Sequence, residues 1–121
     1  MPTTMLAVAL GAVAGALLRF AVTLVLAPRG GWPLATLLVN LAGSLAIGAF
    51  AGLASRHPAL ADWRPLLVTG LLGSLTTFSA FSIELVMLFE RGQPWHALGY
   101  ALASVGAGVA LAYLGFVLGR L

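Results

Sequence analysis

Long apolar stretches separated by short polar breaks run along the whole chain. Four of these stretches carry no charged side chain, and they cover 1–18, 30–55, 65–83 and 92–119. A transmembrane helix needs about 20 mostly apolar residues, and its backbone satisfies its own hydrogen bonds in lipid. The pattern therefore predicts an all-α membrane protein with four spans, at roughly 4–27, 33–54, 65–89 and 95–119.

Proline, glycine and arginine mark the breaks between the spans. Pro33 and Pro65 stand where a first helical position tolerates a missing amide proton. The breaks themselves are Arg29-Gly30-Gly31, Arg56-His57-Pro58 and Arg91-Gly92-Gln93-Pro94. We expect residues 1–121 to form a single integral membrane domain. A cleaved signal peptide is the competing interpretation of the first apolar run, but that run lacks a basic start.

The composition excludes a soluble domain and several kinds of function. Of the 121 residues, 61% are apolar before the 15 glycines are counted, whereas soluble domains have about 45–50% apolar residues with glycine included. The six arginines, with no lysine beside them, are too few and too scattered for a nucleic-acid-binding surface. Cysteine is absent, which excludes disulfides, thiolate metal sites and a cysteine nucleophile.

The distribution of the arginines hardly favours either orientation of the chain in the membrane. With four spans, one side holds three arginines and the other holds two: Arg56, Arg64 and Arg120 against Arg29 and Arg91. An excess of basic residues on the cytoplasmic side normally sets the orientation. The near balance therefore indicates insertion in both directions, and the alternative is a single orientation fixed by helix hydrophobicity or by Arg19.

Glycines spaced four residues apart indicate close helix packing. The pairs are Gly11 and Gly15, Gly48 and Gly52, and Gly115 and Gly119. Such spacing lets helix backbones approach each other in membranes, within a subunit or between subunits. Because four spans make a thin bundle, we expect a second copy to complete any pore or binding site.

The third span contains the most unusual passage, which runs from Gly73 to Ser82. It holds five hydroxyl side chains, at Ser74, Thr76, Thr77, Ser79 and Ser82. Glycine lowers helix propensity, and hydroxyls offer alternative partners to freed backbone groups. The passage therefore predicts a break of the third helix near mid-membrane. A continuous helix whose hydroxyls bond back to carbonyls one turn earlier is the alternative.

Two phenylalanines in this passage, Phe78 and Phe81, project from nearly the same helical face. Thr77, Phe81 and Glu84 also follow a one-face spacing. An aromatic ring has a positive edge, so ring edges turned into a pore favour an anion. Ordinary core packing is the alternative for both rings.

A few further polar residues lie within the predicted spans. Asn40 is the only amide side chain there, and its use is either hydrogen bonding between helices or donation to an anion. Arg19 lies near a span end, where it extends to the interface, holds an anion at a vestibule or pairs with Glu84. Tyr100 and Ser104 share one face of the fourth helix and add two hydroxyls.

The sequence lacks the residues that several kinds of chemistry require. A phosphate-binding loop and constellations of nucleophile, base or metal ligands are missing. Proton-coupled carriers need a carboxylate in the membrane, and Glu84 is the only candidate. The residues present favour passive permeation over catalysis or pumping, so we do not expect an enzyme.

Three motifs in order resemble the fluoride-channel family known as Fluc or CrcB. They are Gly15-Ala16-Leu17-Leu18-Arg19-Phe20, Val39-Asn40-Leu41-Ala42-Gly43-Ser44 and Gly73-Ser74-Leu75-Thr76-Thr77-Phe78-Ser79-Ala80-Phe81. With the length and the four spans, the resemblance covers the whole chain. The family commonly has threonine where this chain has Ala80, so any donor role of that hydroxyl is lost or moves to Ser79 or Ser82.

The resemblance implies a dual-topology antiparallel homodimer with two fluoride pores and a structural sodium ion at its centre. It implies that Gly73 and Thr76 hold the sodium through their backbone carbonyls and that Arg19 lies at the vestibule. The implied fluoride pore comprises Asn40, Phe78, Phe81, Thr77, Ser79, Tyr100, Ser104 and Glu84. Pairing with an oppositely inserted homologue, instead of with an identical copy, stays open.

The function implied is passive export of fluoride from the cytoplasm through the bacterial inner membrane, which confers fluoride resistance. Fluoride, membrane lipid and a second copy are the implied partners. One alternative is a small multidrug-resistance-type transporter, a four-helix dimer that needs a carboxylate in its first span. This chain has none there. A second alternative is an assembly subunit, which leaves the third-span cluster unexplained.

Overall fold

The computed structural model describes residues 1–27 and 31–121, and these residues form helices without a β-strand. The helices are α1 (Pro2–Val25), α2 (Leu34–Arg56), α3 (Gly73–Leu75), α4 (Phe78–Glu90), α5 (Pro94–Leu102) and α6 (Gly108–Gly119). A 3₁₀-helix covers Pro58–Trp63, and two π-helical segments cover Pro65–Leu72 and Ala103–Ala107.

Four helical stretches are long and apolar enough to cross a membrane. They run over Thr3–Val25, Leu34–Arg56, Pro65–Glu90 and Pro94–Gly119. The prediction of an all-α chain with four apolar spans is confirmed, with ends that differ from the predicted ones by one or two residues. The chain is a multi-pass membrane protein.

The breaks between the spans are short. Gly92 adopts φ +69° between α4 and α5, and Gly31 adopts φ +98° before α2, conformations that glycine accepts without steric cost. Pro33 precedes the first residue of α2, because its ψ of 79° is not helical. Residues Arg29 and Gly30 of the predicted first break lie outside the described residues.

The glycine pairs pack helices together within one subunit. A Cβ at Gly11 or Gly15 would collide with the backbone of Leu66 or Leu71, so α1 lies directly against the π-helical start of the third span. In the same way α2 and α6 interlock through four glycines, each facing the other helix's backbone, namely Gly48, Gly52, Gly115 and Gly119. The sequence left open whether these faces pack within or between subunits, and all three pairs pack within.

We expect Gly48→Ala to destabilise the fold by about 1–3 kcal/mol, the usual cost of overpacking. The new methyl group would overlap the Ala112 carbonyl oxygen, and a backbone atom of a packed helix has little room to move. Thermal unfolding in detergent measures the effect. Gly106→Ala is the control, because a Cβ there meets nothing within 4 Å. Equal stability of the two variants would contradict the packing assignment.

The interior of a single subunit is small. One buried cluster comprises Leu37, Phe81, Leu88, Ala97 and Tyr100, and a second comprises Val39, Leu72 and Leu75. Large apolar side chains are exposed along every span, for example Leu17, Leu38, Val86 and Val109. Such surfaces suit lipid or another protein chain.

The third span departs from helical geometry at two residues. Thr76 has φ −86° and ψ 153°, and Thr77 has φ −151° and ψ 118°, so both are extended between α3 and α4. Thr77 then caps the new helix, because its Oγ1 accepts a hydrogen bond from the Ala80 amide at 3.2 Å. Asn40, in the second turn of α2, contacts this two-residue interruption.

Candidate functional site

Asn40 binds the interruption through both ends of its side-chain amide. Its Oδ1 accepts a hydrogen bond from the Thr77 amide at 2.8 Å, and its Nδ2 donates to the Thr77 carbonyl at 3.1 Å. The Asn40 carbonyl in turn accepts from the Ser44 hydroxyl at 2.8 Å. One of the two Nδ2 protons is used here, which leaves the other for a further acceptor.

A pocket of about 320 Å³ opens beside this pair. Its polar lining comes from α2 and from the end of α3, and it includes Asn40, Ser44, Gly73, Thr76 and Thr77. Gly43 also lines it, and a Cβ at Gly43 would collide with the methyl group of Thr76. The absence of a side chain at Gly43 therefore lets Thr76 lie against α2.

Three aromatic rings form a row next to the interruption. The ring centroids of Phe78 and Phe81 are 5.8 Å apart, and Phe81 meets Tyr100 edge to face at 5.2 Å. Phe78 is 78% exposed on the surface of the subunit, whereas Phe81 is 8% exposed. The row thus leads from the outer surface of the subunit to its core, with a ring edge turned toward a neighbour.

Glu84 accepts hydrogen bonds from two hydroxyl groups. Thr36 donates to Oε1 at 2.6 Å, and Tyr100 donates to Oε2 at 2.7 Å. Tyr100 is fully buried, so its hydroxyl depends on this carboxylate for a partner. The three residues join α2, α4 and α5.

A second cavity of about 220 Å³ lies on the other side of Thr77. Arg19, Thr23, Thr36, Thr77 and Glu84 contribute its polar lining, and Ala80 contributes a methyl group. Arg19 Nε is buried without a hydrogen-bond partner. Across residues 1–27 and 31–121, no ion pair joins Arg19 to Glu84. The two side chains line one cavity without a hydrogen bond between them.

The structure brings most of the predicted site residues together, with differences in detail. Gly73, Thr76, Thr77, Asn40 and Phe78 line one pocket, and Arg19 and Glu84 line the other together with Thr77. Ser79 is exposed, with its hydroxyl 3.3 Å from that of Thr77. Ser104 lines neither of these two pockets, and its hydroxyl is buried without a hydrogen-bond partner.

Several residues of this site were not predicted as site residues, among them Thr36, Ser44 and Gly43. Thr36, Asn40 and Ser44 are four residues apart, a spacing that places three polar side chains on one helical face. That spacing was a usable signal for Thr36. Gly43 gives no such signal, because only the contact with Thr76 shows why a side chain is missing there.

We expect Tyr100→Phe to lower the free energy of unfolding by about 1.5–3 kcal/mol, the usual contribution of a hydrogen bond to a charged group. The change removes the donor to Glu84 Oε2 and leaves the ring in place. Thermal unfolding in detergent measures the loss. Tyr113→Phe is the matched control, because Tyr113 is 69% exposed. A loss of the same size in the control would disprove the role of the Glu84 contact.

Fold and site together define a class: a small multi-pass helical membrane protein with neutral hydrogen-bonding groups and aromatic rings around two small cavities. The model of the family described as CrcB-like protein, Camphor Resistance (CrcB), matches residues 6–116. The chain belongs to the CrcB family.

Relatives match over nearly their whole length. The fluoride-specific ion channel FluC of Bordetella avium is 47% identical over 121 residues, which cover 99% of this chain and 95% of the relative. The protein of the same name from Paracoccus denitrificans is 45% identical, with 99% and 97% covered. That from Chloroflexus aurantiacus is 44% identical, with 95% and 94% covered. The resemblance inferred from the three motifs is confirmed.

Proposed function

We propose that this protein is a passive fluoride-selective ion channel that exports fluoride from the bacterial cytoplasm and relieves fluoride toxicity. One observation carries the proposal: relatives named fluoride-specific ion channels match the chain almost end to end at about 45% identity. The site is compatible with this function, because hydroxyl, amide and aromatic groups line it.

The chemistry of hydrogen fluoride makes a passive channel sufficient. Hydrogen fluoride is a weak acid that crosses membranes as a neutral molecule and releases fluoride in the less acidic cytoplasm. The fluoride so trapped has an outward electrochemical gradient. An uncoupled channel in the inner membrane therefore exports it without an energy source.

Fluoride is small and strongly hydrated, so a selective pore must replace its water with close donors. The free Nδ2 proton of Asn40, the hydroxyls of Thr77 and Ser79 and the ring edges of Phe78 and Phe81 are the donors we assign to the path. The unpartnered Ser104 hydroxyl is a further donor, and Tyr100 adds its ring edge. Glu84 is an acceptor, and its role is to orient the Thr36 and Tyr100 hydroxyls.

Arg19 is assigned to the vestibule of this path. Its guanidinium lines the cavity that also holds Thr77 and Glu84, and its Nε has no partner. A partly buried cation without a paired carboxylate attracts an anion into the cavity beside it. Fluoride entering from this side would meet Arg19 first and Thr77 next.

The channel is proposed to be an antiparallel dimer of two oppositely inserted copies. Phe78, Ser79 and Gly73 are exposed on the subunit surface, and polar groups at this depth of a span need a cover other than lipid. An inverted partner would place the Thr76–Thr77 interruption of both copies at the same mid-membrane depth. The arginines, three on one side and two on the other, permit both orientations.

The carbonyls of Gly73 and Thr76 fit a sodium ion at the centre of this dimer. In a continuous helix, the amides of Thr77 and Ala80 would donate to these two carbonyls. Here the Thr77 amide donates to Asn40 and the Ala80 amide to the Thr77 hydroxyl. Hard cations take oxygen ligands, and two copies would supply four such carbonyls. A bound cation supplies positive potential to a core with few fixed charges.

Efflux from sealed vesicles tests the function. Purified protein should release fluoride rapidly and chloride negligibly, with an electrode selective for each ion as the detector. Proton-coupled uptake of a cationic drug would instead identify a transporter. Vesicles with protein that are no leakier to fluoride than bare lipid would overturn the proposal.

Labelling with a membrane-impermeant maleimide tests the dual topology. The chain has no cysteine, so Thr3→Cys provides one label site near the first span. About equal labelling from the two membrane faces is expected of a protein without an orientation signal. Labelling from one face alone would favour pairing with an inverted homologue.

A further inference from the structure

The side chain of Asn40 makes the two hydrogen bonds that a second peptide group would make. Its Oδ1 and Nδ2 pair with the amide and carbonyl of one residue, Thr77, which is 37 positions away in another span. A side-chain amide has the same donor and acceptor as a peptide group. Thr77 therefore keeps a fully bonded backbone although it is not helical.

This pairing determines which carbonyls stay free. The Thr77 amide is taken by Asn40, so it does not bond the carbonyl of Gly73 four residues earlier. The extended Thr77 then turns its own hydroxyl to the Ala80 amide, which in a helix would bond the Thr76 carbonyl. Both carbonyls at the pocket are thus deprived of their helical donors.

α2 holds the interruption at a second point. Gly43 is three residues after Asn40, and the Thr76 methyl group lies where a Cβ of Gly43 would stand. The hydroxyl of Thr76 bonds back to the Leu72 carbonyl at 2.9 Å. Asn40 thus holds Thr77 by hydrogen bonds, while Gly43 accommodates Thr76 by shape.

We propose that Asn40 is a positioning residue that holds the third-span interruption open, in addition to donating to the anion. The cation cradle at Gly73 and Thr76 and the anion path at Thr77 then depend on one side chain. The part of this inference that concerns a cation at Gly73 and Thr76 rests on the proposed function. The part that concerns the holding of Thr77 by Asn40 does not. Loss of Asn40 would leave the Thr77 amide and carbonyl without their partners, so the interruption would no longer be held in one conformation and the cradle would lose its shape.

Hydrogen–deuterium exchange on the full-length protein in bilayers tests the holding role directly. In the wild type, the Thr77 amide should exchange as slowly as the amides in the middle of α4. In Asn40→Ala it should exchange about tenfold faster or more, since a buried hydrogen bond has been lost. Ser55→Ala is the control, because it removes a hydroxyl that bonds Gly52 near the other end of α2.

The dependence on sodium separates positioning from anion donation. With sodium varied, Asn40→Ala should need about tenfold more sodium than the wild type for half-maximal slowing of exchange over residues 73–82. A residue that only donates to the anion would lower fluoride flux and leave this sodium requirement unchanged. Unchanged exchange at Thr77 in Asn40→Ala would likewise overturn the proposal.

Two variants of Thr77 keep the test decisive if Asn40→Ala does not fold. Thr77→Val removes the acceptor of the Ala80 amide and keeps the backbone pairing with Asn40, so it should raise the sodium requirement while Thr77 exchange stays slow. Thr77→Ser keeps the hydroxyl and should therefore have the same sodium requirement as the wild type. A wild-type Thr77 amide that exchanges as fast as the loop at Gly92 would overturn the inference without any variant.

The outcomes also distinguish this inference from the proposed function. If wild-type vesicles released no fluoride, the channel would be disproved, and the exchange rates at Thr77 would still decide the holding role. If fluoride flowed and Asn40→Ala left both exchange and sodium requirement unchanged, the channel would stand and the positioning role would fall.

Discussion

Asn40→Asp is expected to reduce fluoride flux by at least about a hundredfold. The carboxylate has the shape of the amide but cannot donate to the Thr77 carbonyl, and it repels both that carbonyl and fluoride. At an effective dielectric constant of about 20, two like charges about 4 Å apart repel by about 4 kcal/mol, or roughly a thousandfold in occupancy. Initial rates of fluoride release from vesicles measure the loss.

Gln93→Glu is the matched control for this variant. It converts the same kind of amide to a carboxylate between α4 and α5, where Gln93 makes no side-chain hydrogen bond to the helix that follows. Flux through this variant should stay close to that of the wild type. Flux through Asn40→Asp within about twofold of the control would remove Asn40 from the path.

Phe81→Ile should give the second largest effect, a loss of fluoride flux of about tenfold or more, because isoleucine has no positive ring edge to turn toward the anion. Phe81 lies between Phe78 and Tyr100, so the change removes its ring from both contacts. Isoleucine keeps the site apolar and filled. Initial rates of fluoride release, with the amount of folded protein in each sample determined, provide the measurement.

Phe89→Ile provides the comparison for Phe81. Phe89 is on the same helix, α4, is exposed, and does not belong to the row of rings. We expect it to conduct as the wild type does. If both variants lost flux to the same degree, the effect would come from helix packing and the aromatic row would have no part in conduction.

The four spans were predictable because charge is so rare in this sequence. An uninterrupted apolar stretch of bilayer length has one stable form in lipid, so the spacing of nine charged residues nearly determines where helices begin and end. The ends differ by a residue or two, as at Pro33, because a proline fits both the last loop position and the first helical one.

The partners of the glycine faces were not predictable. Spacing of four residues shows that a helix surface is flat, and a flat surface suits a neighbour in the same chain as well as one in another chain. That Gly48 meets the Ala112 carbonyl is a contact between residues far apart in sequence. No local pattern encodes it.

The sequence allowed most residues of the candidate site to be predicted, but not the contacts that these residues make. Asn40 was recognised as the single amide in a span, and hydrogen bonding between helices was one of its two expected uses. Its pairing with the Thr77 backbone depends on how α2 and the third span meet. Glu84 was considered as a partner of Arg19, whereas its carboxylate accepts from Thr36 and Tyr100.

The most direct test of the central claim is the reversal potential of purified protein in a planar bilayer with a fluoride gradient across it. An uncoupled fluoride channel predicts a current that reverses at the Nernst potential of fluoride and stays there when chloride is added to one side. A reversal potential that follows chloride or protons, or the absence of any current above that of bare lipid, would contradict the account.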